Sequence, residues 1–299
     1  MKRGAFLEHV AWTGAGIAYA VTAGGVFEGK ALAAEGKAPS ALDHIEFVQI
    51  SDSHIGFHQA ANTDVAATLK ASIDAINALP RQPSFVVHTG DVTHLAKPEQ
   101  FTAAKDLLST LKAPLVVLPG EHDMIGSQKR FFDVFPPEHG RDGWRSWDDR
   151  GVHYIVLVNV FDFEKMGLLG GPQLAWLERD LSTQRSTTPL VVFTHVPLYA
   201  LYPKWGWTTE DGVKALAMLQ RFERVTVLNG HIHQVVRHQE GNIVFASANA
   251  TAYPQPAPGT APKPGPLTLP HDALLRAIGY RTVELQEDGR AVIGDSTLA

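Results

Sequence analysis

Carboxylates and imidazoles recur in this chain in five short polar motifs, each placed at the end of an apolar run. They are Asp52-Ser53-His54, Gly90-Asp91, Gly120-Glu121-His122-Asp123, His195 within Phe193-Thr194-His195-Val196-Pro197, and Gly230-His231-Ile232-His233. Together they supply the mixed oxygen and imidazole-nitrogen donors that divalent transition metals favour. The chain has no cysteine, so disulfides and thiolate ligands are excluded, and a metal here must be held by His, Asp, Glu or Asn. Taken singly the motifs are weak. A Gly-Asp after a strand is usually a plain turn, and His195 alone could be a satisfied core histidine. Their repetition at separated strand ends is what points to a metal centre. In extended backbone, residues two apart share a side, so Asp52 with His54, and His231 with His233, are expected to present side chains together.

Bringing such dispersed residues to one rim requires strands whose carboxyl ends converge. Short β-rich runs alternate with helical ones, as an α/β fold requires. Strands are expected at 45–50, 84–88, 115–118, 152–158, 190–193 and 225–228, and helices near 63–79, 98–111, 171–181 and 211–222. Each metal motif directly follows one of these strands, where open α/β sheets bind ligands. Further strands are expected at 234–238, 243–248, 280–285 and 291–293, in antiparallel pairing. Residues 254–270 are rich in proline and read as a polyproline-like surface crossover, with a flap over the metal site as the sharper alternative.

The order and spacing of the five motifs resemble the calcineurin-like metallophosphoesterases, over about residues 45 to 250. The resemblance implies a four-layer αββα sandwich: two mixed β-sheets packed together with helices on both outer faces. It implies a dinuclear centre in which Asp91 bridges both ions. His195, His231 and Glu121 would join Asp91 on one metal, and Asp52, His54 and His233 would join it on the other. His122 would contact the phosphate and protonate the leaving oxygen, with Asp123 orienting it. Two ions about 3.5 to 4 Å apart can lower the pKa of a bridging water and neutralise charge as hydroxide attacks phosphorus. The family usually has Asn where this chain has Glu121. Three carboxylates then face two dications, which favours a harder or more highly charged ion; iron, manganese and zinc are the candidates. His94 falls where many relatives carry Asp or Asn, and with His58 and His88 it is expected to support the site or lie at the surface.

The resemblance implies metal-dependent hydrolysis of a phosphodiester or phosphomonoester, nearest to the bacterial class III cyclic-nucleotide phosphodiesterases. Tyr199, Tyr202, Trp205 and Trp207, in the loop after His195, are candidates for stacking on a nucleobase or aryl leaving group, or for a small loop core. A nuclease of the same superfamily would need a basic track. The net charge of −5 and scattered Lys and Arg give none, so general nucleic-acid binding is not expected and a small-molecule phosphoester is the expected partner. A non-catalytic metal- or phosphate-binding protein on the same scaffold is the alternative that Glu121 keeps open. At 299 residues and 44% hydrophobic content, one catalytic domain over 45–299 is expected. Before it, Lys2-Arg3, an apolar stretch from Val10 to Phe27 and Ala31-Leu32-Ala33 read as a signal peptide over 1–33, followed by a spacer at 34–44. Lys2-Arg3 with Phe6-Leu7 resembles a twin-arginine signal, departing from it in having Lys for the first arginine and one extra residue between the pair and Phe6. Export to the periplasm, with only transient membrane contact, is the expectation, and an N-terminal membrane anchor the alternative.

Overall fold

Alternation of large apolar side chains along short strands builds two sheets that share one interior. The computed structural model describes residues 46–299 except 127, 138–141, 162, 164, 165 and 287, and, before them, four two-residue strands between Trp12 and Val26. The expected signal at 1–33 and spacer at 34–44 otherwise lie outside the described residues. No helix among the described residues is long and apolar enough to cross a membrane.

The first sheet has five strands: β1 (Phe47–Ile50), β2 (Phe85–His88), β3 (Leu115–Val117), β10 (Gly279–Leu285) and β11 (Ala291–Thr297). Its order is β11-β10-β1-β2-β3, with β1, β2 and β3 parallel and β10 antiparallel to both its neighbours. The second has six: β4 (Arg145–Asp149), β5 (Val152–Val156), β6 (Leu190–Thr194), β7 (Val225–Asn229), β8 (Val236–Glu240) and β9 (Ile243–Ser247). Its order is β8-β9-β7-β6-β5-β4, parallel at the centre with an antiparallel strand at each edge.

Inward-facing Phe47, Phe85, Val87, Tyr154, Val156, Val191, Phe193 and Leu228 form the layer between the sheets. The alternate residues face outward. Val48, Ile50 and Val86 pack under α1 (Val65–Asn77), α2 (Pro98–Leu108) and α3 (Gln128–Val134). Ile155, Val192, Val225 and Val227 pack under α4 (Gly171–Ser182) and α5 (Gly212–Leu219). These are the four layers expected. Strand β4, helix α3 and a short helix α6 (His271–Leu275) were not anticipated. β4 reads Arg-Ser-Trp-Asp-Asp, an edge strand too polar to announce itself by alternation.

Candidate metal centre

All five motifs leave the carboxyl ends of the parallel strands β1, β2, β3, β6 and β7, and hydrogen bonds between the loops lock them side by side. Asp52 N–H donates to Gly90 O (3.0 Å) and His54 N–H to Asp91 O (2.9 Å), aligning the loops after β1 and β2. Gly230 N–H donates to His195 O (3.1 Å), aligning those after β6 and β7. The two sheets meet where His231 N–H donates to both Asp52 oxygens, at 3.1 and 3.2 Å. Two glycines permit this closeness. A Cβ on Gly120 would fall 2.1 Å from Asp91 Oδ1, and one on Gly230 would fall 2.1 Å from Ser51 Oγ.

The seven residues expected to bind metal come together, and none is more than 6% exposed. Asp52, His54 and His233 form one cluster and Glu121, His195 and His231 another, with donor atoms in each within 4.8 Å of one another. Asp91 lies between them: its Oδ2 is 3.5 Å from both His54 Nε2 and His195 Nε2. The route to this arrangement differs from the one expected. Asp52, His54, Asp91, His231 and His233 all have left-handed backbone, with φ between 44° and 68°. The two-apart pairs thus converge through tight loops rather than extended strand. Residues other than glycine are uncommon in this region, and it collects at sites that constrain them.

The donor set fits a pair of cations. His233 Nδ1 lies 2.6 Å from Tyr253 O, so it carries the proton and leaves Nε2 a bare lone pair. That lone pair faces Asp52 Oδ1 at 3.4 Å and His54 Nε2 at 3.2 Å. His195 Nδ1 likewise donates to Thr89 O (2.7 Å), turning Nε2 toward Glu121 Oε2 at 2.8 Å. Glu121 Oε1 is 3.0 Å from His231 Nδ1. Glu121 Oε2, His195 Nε2 and His231 Nδ1 are buried close together without an aligned hydrogen bond, the disposition of donors around a common ion. Burial disfavours a charged His195, but Asp91 and Glu121 outweigh it and hold the ring well above the ordinary histidine value. Burial likewise opposes ionisation of Glu121, yet His231 and His195 keep it well below the usual carboxylate range. Asp52, opposed by burial but drawn down chiefly by His233, falls to about 2. Both clusters therefore present ionised oxygen beside imidazole.

His122 stands at the rim. Its N–H donates to Asp91 Oδ1 (2.9 Å), and its ring Nδ1 donates to His94 O (2.7 Å). Burial works against its charge, but Asp91 and Glu121 raise it above the ordinary value. The expected orientation of His122 by Asp123 needs correction. The Asp123 carboxylate accepts from Val92 N (3.0 Å), Thr93 N (2.7 Å), Thr93 Oγ1 (2.8 Å) and Gly120 N (3.1 Å). It clamps the turn that carries Asp91 to the one that carries His122, while the His94 carbonyl sets the His122 ring. His88 is fully buried against Ser53 Oγ at 2.9 Å, and His58 is exposed.

The four aromatic residues after His195 form core rather than a stacking face. Tyr199 packs on Phe245 and His238 under the outer helices. Tyr202, Trp205 and Trp207 pack on one another and on Ile232, the residue between His231 and His233, with Trp207 only 1% exposed. Their contribution is to hold the His231-Ile232-His233 loop.

Three residues near the centre escaped the sequence reading. Tyr253 stacks on His54 (ring centroids 5.1 Å apart) and lies 4.8 Å from the His233 ring. It opens the proline-rich segment, whose root is tied in by Gln255 Nε2 donating to His231 O (3.0 Å). That segment is the crossover from β9 to α6 and β10, and its first residues border the centre. Phe163 is 45% exposed and meets the His122 ring edge-on at 5.1 Å. Asn159 holds the His195 loop, accepting from the N–H of His195 (3.3 Å) and of Val196 (3.2 Å). Of these only Tyr253, heading a run of prolines, left any mark in the sequence.

A family model described as calcineurin-like phosphoesterase matches residues 45–235. The glycerophosphodiester phosphodiesterase GpdQ of Enterobacter lignolyticus is 28% identical over 203 residues, covering 66% of this chain and 70% of its own. The 3′,5′-cyclic adenosine monophosphate phosphodiesterase CpdA of Pseudomonas aeruginosa is 27% identical over 269 residues, covering 86% and 92%. Among solved structures, a dimetal phosphatase from Danio rerio superposes with a TM-score of 0.64 at 12% identity, covering 85% of this chain and 96% of that one. The purple acid phosphatase PPD1 of yellow lupin superposes with a TM-score of 0.57 at 16% identity, covering 80% and 49%. These two likenesses are of fold.

Proposed function

We propose, from the premise that this chain belongs to the calcineurin-like phosphoesterase family, that it hydrolyses a small phosphodiester at its paired-cation centre. The observation that carries this reading is the meeting of seven buried ligands from five loops in two clusters on either side of Asp91. Asp52, His54 and His233 would hold one ion, Glu121, His195 and His231 the other, and Asp91 both. When bound, such a pair supplies Lewis-acid activation of water and neutralises the phosphoryl oxygens during in-line displacement. His122 acts from the protein side. With Nδ1 committed to the His94 carbonyl, Nε2 is the ring atom left to carry a proton to the leaving oxygen. No covalent intermediate on the protein is required.

Relatives named for glycerophosphodiesters and for cyclic nucleotides support a small phosphodiester as the substrate class. Glu121, an anionic ligand where the family usually has Asn, supports iron or manganese over zinc at the His195 and His231 cluster. The basic, apolar and small-residue pattern of residues 1–33 supports export to the periplasm; cell fractionation with a reporter fused after residue 44 tests it.

The test of the activity is metal-dependent turnover of bis(p-nitrophenyl) phosphate, glycerophosphocholine and cyclic AMP. His122→Ala should retain two ions yet lose about 10²- to 10⁴-fold in kcat, the usual scale of general-acid catalysis. Undiminished turnover in that variant would remove His122 from the chemistry. A fully loaded protein inert to every phosphoester would leave only the metal-binding reading.

A further inference from the structure

The ligand histidines on the two sides of the centre are backed differently. His195 and His233 each present Nε2 to the centre and donate Nδ1–H to a backbone carbonyl, of Thr89 and Tyr253 respectively. His54 also turns Nε2 inward, 3.5 Å from Asp91 and 3.2 Å from His233 Nε2, but its Nδ1 faces another imidazole, His94 Nδ1, at 3.4 Å. For His54 to give the Nε2 lone pair to a cation shared with Asp52 and His233, its ring proton must sit on Nδ1. The atom placed to receive it is His94 Nδ1, which can accept only as the bare nitrogen of a neutral ring. His94 is built in to do this. Its N–H donates to Ile55 O (3.0 Å), its ring stacks on His122 (5.0 Å, 17°), and Phe57 closes its edge (5.2 Å, 89°).

We infer that His94 is a positioning residue for the metal centre: it fixes the Nδ1–H tautomer of His54 and so tunes the cation site formed by Asp52, His54 and His233. The inference rests on the paired-cation reading above. A neutral imidazole accepts the proton less strongly than a carboxylate would, so His54 is a weaker donor than a carboxylate-backed histidine. With Glu121 adding a charge to the opposite cluster, the two ion sites become unequal in affinity. The same three rings have donor nitrogens within 4.8 Å of one another and invite reading as a third cation site. That reading is disfavoured because none of the three rings brings a negative charge, His122 Nδ1 is already committed to the His94 carbonyl, and a third dication would stand beside two others.

The test uses the full chain with Mn²⁺ or Zn²⁺ alone as probe, in competition with a chelator and without substrate. His94→Leu should weaken one of the two sites by about 10- to 100-fold, the usual cost of losing a partner of a metal-ligating histidine, and leave the other unchanged. His94→Asn, whose side-chain oxygen can accept, should recover most of that loss. Nitrogen-15 NMR of the zinc-loaded wild type, which does not depend on any variant folding, should show His54 protonated at Nδ1. Wild-type affinity at both sites in His94→Leu, His54 protonated at Nε2, or three bound ions falling to two on loss of His94 would each overturn the assignment. Diester turnover is measured separately: an inert protein with the predicted affinities would defeat the hydrolytic reading and leave His94 in place.

Discussion

Glu121 concentrates what is particular to this chain into one side chain. Its two oxygens span His195 and His231 at 2.8 and 3.0 Å, so it serves the cluster as a full charge where an amide would offer one neutral oxygen. Even at the effective dielectric near 20 that suits protein sites, a unit charge about 4 Å from a cation is worth roughly 4 kcal/mol per unit of cation charge before desolvation is subtracted. Desolvation of a buried carboxylate takes back much of this. Glu121→Asn is therefore expected to weaken that site by about 10- to 100-fold, where each tenfold is about 1.4 kcal/mol. The loss should be greater for Fe³⁺ than for Zn²⁺. Calorimetric titration of the metal-free protein measures both, and an equal loss for the two ions would contradict a charge-based role. That these seven side chains gather at one place was legible in the sequence, because carboxylate and imidazole side chains at five strand ends have few other uses in combination. Their left-handed backbone was not legible: nothing in Asp-Ser-His or His-Ile-His announces it, and the hydrogen bonds that impose it come from other loops.

The loops are held by approach distances that leave no room for a methyl group. On Gly120 an added Cβ would meet Asp91 Oδ1 at 2.1 Å and Asp91 N at 2.4 Å, so Gly120→Ala must push the Asp91 carboxylate or its own turn aside. A loss of about 1 to 3 kcal/mol in stability is expected, as for other overpacked sites, together with loss of cation binding at both clusters. Gly171→Ala is the control, since a Cβ there meets nothing within 4 Å. Thermal melts and metal content of the two variants separate the cases; a Gly120→Ala protein that loads two ions normally would show that the turn yields easily. The strands were readable because their apolar runs are bounded by Gly, Asp and His, and the helices because of their spacing. The aromatic residues from Tyr199 to Trp207 were ambiguous for a physical reason: stacking on a ligand and stacking on one another require the same side chains. Only the position of Ile232 among them decides it. Tyr253 and Asn159 reach the centre through pairings with distant segments, which local pattern does not encode.

At the scale of the whole molecule the centre depends on two sheets keeping their relative position, because Asp52, Asp91 and Glu121 come from one and His195, His231 and His233 from the other. One buried cation spans the join. Arg281 of β10, fully buried, donates to the carbonyls of Ala246 (3.1 Å) and Ser247 (2.7 Å) in β9 of the other sheet, to Gln49 Oε1 (3.3 Å) and to Asp295 Oδ1 (2.7 Å). Gln49 in turn donates to Thr89 Oγ1 (3.0 Å) and Asn229 O (3.2 Å), beneath the loops of Asp91 and His231. Neither Arg281 nor Gln49 stands out in its strand. Breaking a buried pair by removing one partner commonly costs about 3 to 5 kcal/mol, since the other charge is left unmatched. Asp295→Asn removes the charge and keeps the shape. Burial raises the Asp295 carboxyl, but Arg281 outweighs it and holds the group below the ordinary aspartate value. Its contribution is therefore present above the unfolded pKa of about 3.9 and lost as pH falls through the lower folded value. In metal-free protein, where acid release of the ions cannot intrude, urea unfolding should show Asp295→Asn less stable than wild type at pH 7. The gap should close progressively below about pH 4, as the wild-type carboxylate takes up its own proton. A gap that stays constant from pH 7 to pH 3 would mean that shape and hydrogen bonding, rather than charge on Asp295, hold Arg281 across the two sheets.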